Sequence, residues 1–313
     1  MDFDQDGLSD IITGSYHPGE LYFFKRNADK TFAKGEKIAD KTGKPICIAA
    51  ASTPFAVDFD ADGDLDLLVG DIQGKVHLVE NESGDKTLKF GAARPLAIDG
   101  KAVVGAGDSQ PVAADWDGDG KLDLLVADGA GAVKCFKNIG EKGMGKLATG
   151  VDLVAAPARG MAKEGEVKPG MRAKICVTDF NGDGVLDLLL GDFASGGGGM
   201  KKDLTADEKT KYEEVSKKAR EISSKTSEAY MKIYNEAVKA TGKEAKDLSN
   251  EERLAISKEV AEKLQKDEAY MKAAKESGEL YKELRKYQAP VEYRGNVWFL
   301  AGKPSKPITE TTK

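Results

Sequence analysis

Asp58-Phe59-Asp60-Ala61-Asp62-Gly63-Asp64-Leu65-Asp66, followed at once by Leu67-Leu68-Val69-Gly70-Asp71, decides how this chain of 313 residues is read. The pattern Asp-x-Asp-x-Asp-Gly-x-x-Asp occurs four times. Its copies start at 2, 58, 115 and 179, with Asn181 in the third place of the last. The intervals are 56, 57 and 64 residues. A motif returning at a near-constant interval marks a repeat architecture, in which each repeat is one supersecondary unit.

Clustered carboxylates repel unless a cation sits among them. A hard ion with six to eight oxygen ligands and tolerant geometry, calcium, suits such a loop. The candidate ligands are Asp2, Asp4, Asp6 and Asp10; Asp58, Asp60, Asp62 and Asp66; Asp115, Asp117, Asp119 and Asp123; and Asp179, Asn181, Asp183 and Asp187. Up to four calcium ions are expected. The sixth place is always Gly (Gly7, Gly63, Gly120, Gly184), which allows the sharp reversal a Cβ resists. Ordinary turn chemistry would not keep this spacing four times. An EF-hand needs a bidentate Glu in the twelfth place. Here that place holds Thr13, Val69, Val126 and Leu190, none of which serves.

The flanks read as strands. Ile11-Ile12, Leu67–Val69, Leu124–Val126 and Leu188–Leu190 are short apolar runs that end at Gly or Ala. A second strand follows at Glu20–Phe24, Lys75–Val79 and Ala132–Phe136, and a more polar third near 31–38, 88–98 and 146–154. The strand before each loop is placed at Phe55–Phe59, Val112–Trp116 and Ile175–Phe180. The aromatic in the second place of every loop (Phe3, Phe59, Trp116, Phe180) is assigned to core packing. Each unit is then a four-stranded antiparallel meander, the blade of a β-propeller.

The loop, the apolar strand behind it and the Gly-x-Val-x-Leu-type strand after that resemble the FG-GAP or VCBS repeat, over residues 1–195 and 293–302. The resemblance implies calcium-binding propeller blades of the integrin α-subunit kind, usually about seven in number, and a secreted or surface protein. Only four are countable here. Met1 stands directly before the first Asp, so the segment equivalent to Phe55–Phe59 is missing from the first unit. The expectation is a partial or open propeller from a chain cut at its start, signal segment included. A four-bladed ring closed by the C-terminal segment is the other possibility.

The fourth unit is interrupted. After Gly191-Asp192-Phe193 and Gly196–Gly199, about ninety residues intervene before Gly295–Leu300 resumes the second strand. The domains are therefore 1–195 for the propeller units, 196–290 for an inserted antiparallel helical hairpin, and 291–313 for completion of the fourth unit and a tail. Thr205–Glu208 and Ser249–Glu252 are capping boxes that start two helices, ending near Gly242 and before Pro290. Tyr212, Val215, Ala219, Ile222, Thr226, Ala229 and Ile233 form a coiled-coil seam. Val260, Leu264, Met271, Ala274, Gly278 and Tyr281 form its partner stripe. Glu213–Lys217, Glu214–Lys218, Glu221–Lys225, Glu228–Lys232 and Glu259–Lys263 are i to i+4 pairs on the exposed faces. The hairpin could bind a partner or self-associate.

Residues 200–289 hold 21 basic and 19 acidic side chains, which leaves −8 elsewhere in a chain of net charge −6. Four divalent ions would balance that acidity. Nothing in it points to nucleic acid, and no apolar run is long enough to span a membrane. Cys47, Cys135 and Cys176 form no CxxC pair and are read as buried free thiols. Cytosolic calcium is too scarce for such loops, which argues for an extracellular, cell-surface or periplasmic home. No nucleophile elbow, phosphate loop or zinc motif appears, so the reading is a non-catalytic scaffold for protein recognition or adhesion. The alternative is a carbohydrate-active protein, either a polysaccharide lyase using residues such as Arg94, Arg159 and Arg172 or a glycan-binding module. Protein or glycan ligands are expected on the loops 40–53, 99–110 and 155–172.

Overall fold

In the second, third and fourth repeats the apolar run after the Asp loop becomes an inner strand of an antiparallel sheet, whereas in the first it is an edge strand. In the computed structural model the described residues are 2–303, apart from 5, 84–87, 158–168, 245–247 and 249. The first repeat is a sheet of β1 (Ile11–Gly14), β2 (Leu21–Phe24) and β3 (Glu36–Lys37). The second is β4 (Thr53–Val57), β5 (Asp66–Gly70), β6 (Val76–Val79) and β7 (Arg94–Pro95) in that order. A two-stranded ribbon, β8 (Ala97–Ile98) with β9 (Lys101–Ala102), leads to the third repeat. That repeat is β10 (Gln110–Ala114), β11 (Asp123–Ala127), β12 (Val133–Phe136) and β13 (Val151–Val154). In the fourth, β14 (Met171–Thr178) pairs β15 (Asp187–Gly197). After three helices come β16 (Val291–Arg294) and β17 (Val297–Leu300), both in the sheet of β15. The protein is mainly β, with several antiparallel sheets and three helices.

The second, third and fourth Asp loops each close a hairpin between the strands on their two sides. Val57 opposes Asp66, Ala114 opposes Asp123, and Thr178 opposes Asp187. The strands before the loops therefore stop two residues short of the sequence expectation. Phe59, Trp116 and Phe180 lie in the loops, because their N–H groups are committed to the ninth-place Asp and not to a ladder.

β5 and β11 are buried along their whole length. Successive side chains of a strand point to opposite faces, and here each face meets a different neighbour. Leu67 and Val69 pack with Leu21 and Phe3 of the first repeat. Leu68, Val76 and Leu78 pack with Leu124 and Val126 of the third. Leu125, Ala127 and Val133 pack in turn with Ala173, Ile175, Leu188 and Leu190 of the fourth. The cores thus lie between consecutive sheets, and each fully buried Leu or Val contributes about 1.5–3 kcal/mol. Gly70 shows how closely the repeats approach. A Cβ on it would stand 2.2 Å from the Ser109 carbonyl oxygen of the incoming chain.

Two expectations about apolar side chains need correction. Phe3 and Phe59 are buried and Trp116 partly so, but Phe180 is 63% exposed. Of the thiols only Cys135 is buried; Cys47 and Cys176 are exposed.

The chain divides into two compact units, Met1–Ala194 with Tyr293–Lys313, and Ser195–Glu292. The second holds α1 (Ala206–Ala240), α2 (Asn250–Lys266) and α3 (Glu268–Tyr287). The Thr205/Glu208 capping box starts α1, whereas Ser249 lies outside the described residues. The single second helix expected from the sequence is broken at Asp267. Its backbone is extended (φ −84°, ψ 100°), and its carboxylate accepts from the Tyr270 N–H, so it caps α3 and does not prolong α2. The break shifts the stripe that follows. Met271 and Tyr281, expected on the seam, are 47% and 45% exposed, while Leu284 is buried against Val215 and Ala219. Val260 and Leu264, before the break, are buried as expected with Ala237 and Val238. Lys211 reaches Glu283 of α3 at 4.0 Å and Lys218 reaches Glu276 at 2.9 Å, so α3 runs antiparallel to α1; Lys263–Glu259 does form, at 2.7 Å. Among the described residues, no helix is long and apolar enough to cross a membrane.

Candidate metal centres

The loops fold on their own carboxylates before any ion is considered. The first-place Asp accepts from the N–H groups of the fifth and sixth places. Asp2 takes Asp6 and Gly7 at 3.0 and 2.9 Å, and Asp179 takes Asp183 and Gly184 at 3.0 and 2.9 Å. The fifth-place Asp accepts from the residue two further on, as Asp62 does from Asp64 at 3.0 Å and Asp119 from Lys121 at 3.1 Å. These are Asx turns, the reason Asp recurs in such loops. The sixth-place glycines have φ of 93°, 100°, 86° and 85° for Gly7, Gly63, Gly120 and Gly184, in the left-handed region where a Cβ is strained.

Folding this way brings carboxylates together. Oxygens of Asp2, Asp4 and Asp6 lie within 4.8 Å of one another, as do those of Asp58, Asp60 and Asp62, and those of Asp115, Asp117 and Asp123. The fourth loop is different. Asn181 turns its amide nitrogen onto Asp183 at 2.9 Å, and its oxygen accepts from the Asp183 N–H.

The ninth-place Asp does a second job that the sequence reading did not assign. Asp66 accepts from Phe59 N–H at 2.9 Å and from Asn81 N–H at 2.7 Å. Asp10, Asp123 and Asp187 repeat this, taking the second-place N–H and one from the end of the neighbouring strand (Arg26, Asn138 and Gly302). All four are buried. They peg the loop to the sheet. Burial pushes the Asp66 carboxyl up to about 6, against the two N–H groups that favour its charged form and with the Asp60 and Asp64 charges adding to the rise. Burial raises Asp123 as well. A bound cation reverses that local logic.

Lysines already answer part of the charge. Lys25 lies against Asp4 and sits 2.7 Å from Asp6. Its hydrogen bond is the main reason the Asp6 carboxyl falls below the usual range. Lys137 occupies the same place in the third loop, against Asp117 and at 3.3 Å from Asp119. Both follow the second strand of their repeat. In the second repeat that place is Glu80, which pairs with Arg94 at 2.7 Å; in the fourth it is Ala301.

The donors fit a metal ion. They are carboxylate oxygens with no His or Cys, the set a hard cation takes. Asp115 Oδ1 is buried without a hydrogen-bond partner. A buried carboxylate oxygen left so is costly, and a cation among Asp115, Asp117 and Asp123 would satisfy it. Removing the competing ammonium with Lys137→Ala should tighten calcium in the third loop about two- to fivefold, the scale of one exposed ion pair. Calorimetric titration against Lys174→Ala, which is paired elsewhere with Asp108, checks it.

A second set of acidic residues is committed to backbone and side-chain donors. Asp71 and Asp128 directly follow β5 and β11 and organise the hairpin turns, and Asp192 holds the corresponding place inside β15. Asp71 accepts from Gln73 and Lys75 N–H and meets His77 Nε2 at 2.9 Å. Although burial opposes it, these partners hold the Asp71 carboxyl below its ordinary value. Asp192 takes the Trp298 indole N–H at 2.7 Å. The Gly-Asp or Ala-Asp ending each apolar run was the available signal. Two of the basic residues considered for lyase chemistry have acidic neighbours. Arg94 is held by Glu80, Arg172 lies 3.6 Å from Asp108, and Arg159 is outside the described residues.

With this geometry in view, comparison with known families is direct. The family model described as the FG-GAP-like repeat matches residues 58–126 and again 115–190. Residues 58–190 are FG-GAP-like repeats. Each match runs from one Asp loop to the central strand behind the next, so the FG-GAP period coincides with the structural one. No curated protein matches the chain significantly. Among solved structures, one of an Agrocybe aegerita lectin, described as recognising non-reducing terminal N-acetylglucosamine, is 18% identical with a TM-score of 0.36. The match covers 62% of this chain and 47% of that one, so this chain spans about half its length. An overlap that loose carries no functional weight.

Proposed function

We propose that the FG-GAP-like repeats form a propeller-type array stabilised by calcium, and that this array is a non-catalytic scaffold for extracellular recognition or adhesion. The carrying observation is the third loop, where a buried, unpartnered Asp115 oxygen stands within a carboxylate cluster. Asp2, Asp4, Asp6 and Asp10, Asp58, Asp60, Asp62 and Asp66, and Asp115, Asp117, Asp119 and Asp123 would hold an ion in the first three loops. Asp179, Asn181, Asp183 and Asp187 would do so in the fourth once the Asn181 amide turns over. When bound, calcium neutralises the clustered charge and ties the loop to both strands it joins. Extracellular modules hold calcium with dissociation constants of about 0.1–1 mM, which suits a surface, secreted or periplasmic location. Recognition is assigned to loops 40–53, 99–110 and 155–172, of which 158–168 lie outside the described residues, with the helical unit as a further contact element.

The test is turnover against binding. The calcium-loaded protein should leave uronate-containing polysaccharides without new ultraviolet absorbance, while retaining protein or glycan ligands on an array in a calcium-dependent way. Time-dependent absorbance, lost on Arg172→Ala, would replace the scaffold with a lyase.

A further inference from the structure

The hairpin register sets one residue of each repeat beside its Asp loop. Phe24, Val79 and Phe136 oppose the first residue after the ninth-place Asp, and the next places along the chain are Lys25, Glu80 and Lys137. The ninth-place Asp fixes the backbone there. Asp10, Asp66 and Asp123 accept from the N–H groups of Arg26, Asn81 and Asn138 at 2.8, 2.7 and 2.7 Å. The three side chains therefore leave the same point of the same framework, and they differ in charge.

That difference sets what each loop contains. Lys25 lies against Asp4 and Asp6, and Lys137 against Asp117 and Asp119. In both loops one ammonium bridges the third- and fifth-place carboxylates. Glu80 instead adds a negative charge and turns to Arg94 at 2.7 Å. Among the described residues no basic side chain pairs with Asp58, Asp60 or Asp62, although their oxygens lie within 4.8 Å of one another. Like charges that close repel, and an ammonium between them offsets the repulsion. The fourth loop has Ala301 at that place and one carboxylate fewer, with Asn181 in the third position.

We propose that Lys25 and Lys137 are built-in counter-ions, which hold the first and third loops closed in the ion-free protein, while the second loop draws its counter-ion from solution. The residue after the second strand thereby sets how far each loop depends on an added cation. The ion-free half stands on the ion pairs alone; that the solution ion is calcium rests on the function proposed above.

Backbone amide exchange, followed by NMR on the full chain in EDTA well below its melting range, tests it. The probes are the Asp62 and Gly63 N–H groups in the second loop and those of Asp119 and Gly120 in the third, all bonded to loop carboxylates. Local opening sets their exchange rates. Lys137→Gln should speed exchange at Asp119 and Gly120 about two- to fivefold, the scale of an exposed ion pair, and leave Asp62 and Gly63 unchanged. Glu80→Lys should slow Asp62 and Gly63 by a similar factor. Glu80→Gln, which loses the Arg94 pair without supplying an ammonium, should not. On addition of calcium, Glu80→Lys should need about two- to fivefold more of it than the wild type to protect the second loop equally. Unchanged exchange in EDTA in either Lys137→Gln or Glu80→Lys overturns the proposal. So does a Glu80→Gln that slows exchange as much as Glu80→Lys. Wild-type exchange that ignores calcium in every loop overturns the calcium reading, and the EDTA comparison still decides this one.

Discussion

Chelating calcium should lower the unfolding midpoint of the sheet unit by about 10–20 °C and leave the helical unit in place. At free calcium ten times the dissociation constant, each site contributes about 1.4 kcal/mol. Three or four independent sites give about 4–6 kcal/mol, on the scale of a whole domain's stability. For a unit of this size about 1 kcal/mol moves the midpoint by about 2–4 °C. The helices have their own core, with Ala237, Val238, Ile256, Val260 and Leu264 buried together, and none of the Asp loops takes part in it. Circular dichroism in calcium and in EDTA checks both halves. The strand signal should melt early while the helical minimum persists. A helical signal that collapses with the strands, or a midpoint indifferent to EDTA, would contradict the account.

Asp123→Ala should be the most damaging single change in a loop, and its effect should outlast removal of calcium. It strips the acceptor from the Trp116 and Asn138 N–H groups, bonded at 3.2 and 2.7 Å. Each buried donor left unsatisfied costs about 1–3 kcal/mol, so the total is roughly 2–6 kcal/mol before any ion is counted. Asp119→Ala, two places from Lys121 at an exposed position, should cost about one site's share in calcium, ~1.4 kcal/mol, and almost nothing in EDTA. Urea midpoints of both variants with and without calcium separate the two roles. Equal losses in EDTA would mean that the ninth-place Asp is no peg.

The loops were legible in the sequence because Asx turns and the positive φ of the sixth place demand particular residues at fixed spacing. The central strands were legible because burial on both faces needs an unbroken apolar run. The ninth-place Asp was read only as a ligand, since its two backbone donors come from parts of the chain that meet it after the sheet forms. Lys25 and Lys137 were missed for the same reason: only the hairpin register carries them into the loops. The helix break was hidden by a stripe that continues in number but slips in phase. Asp267 is an N-cap whose neighbours on both sides are good helix formers, so spacing alone carried the expected seam to Met271 and Tyr281. Phe180 looked identical to Phe59 in its motif, yet it is 63% exposed where Phe59 is 6%, because burial depends on what packs over the loop and not on the loop's own residues.

Calcium stoichiometry by equilibrium binding, measured on the wild type and on Asp119→Ala in parallel, tests the central claim most directly. The account predicts three or four ions per chain, with one fewer in the variant. No saturable binding at millimolar calcium, or an unchanged count in the variant, would contradict it.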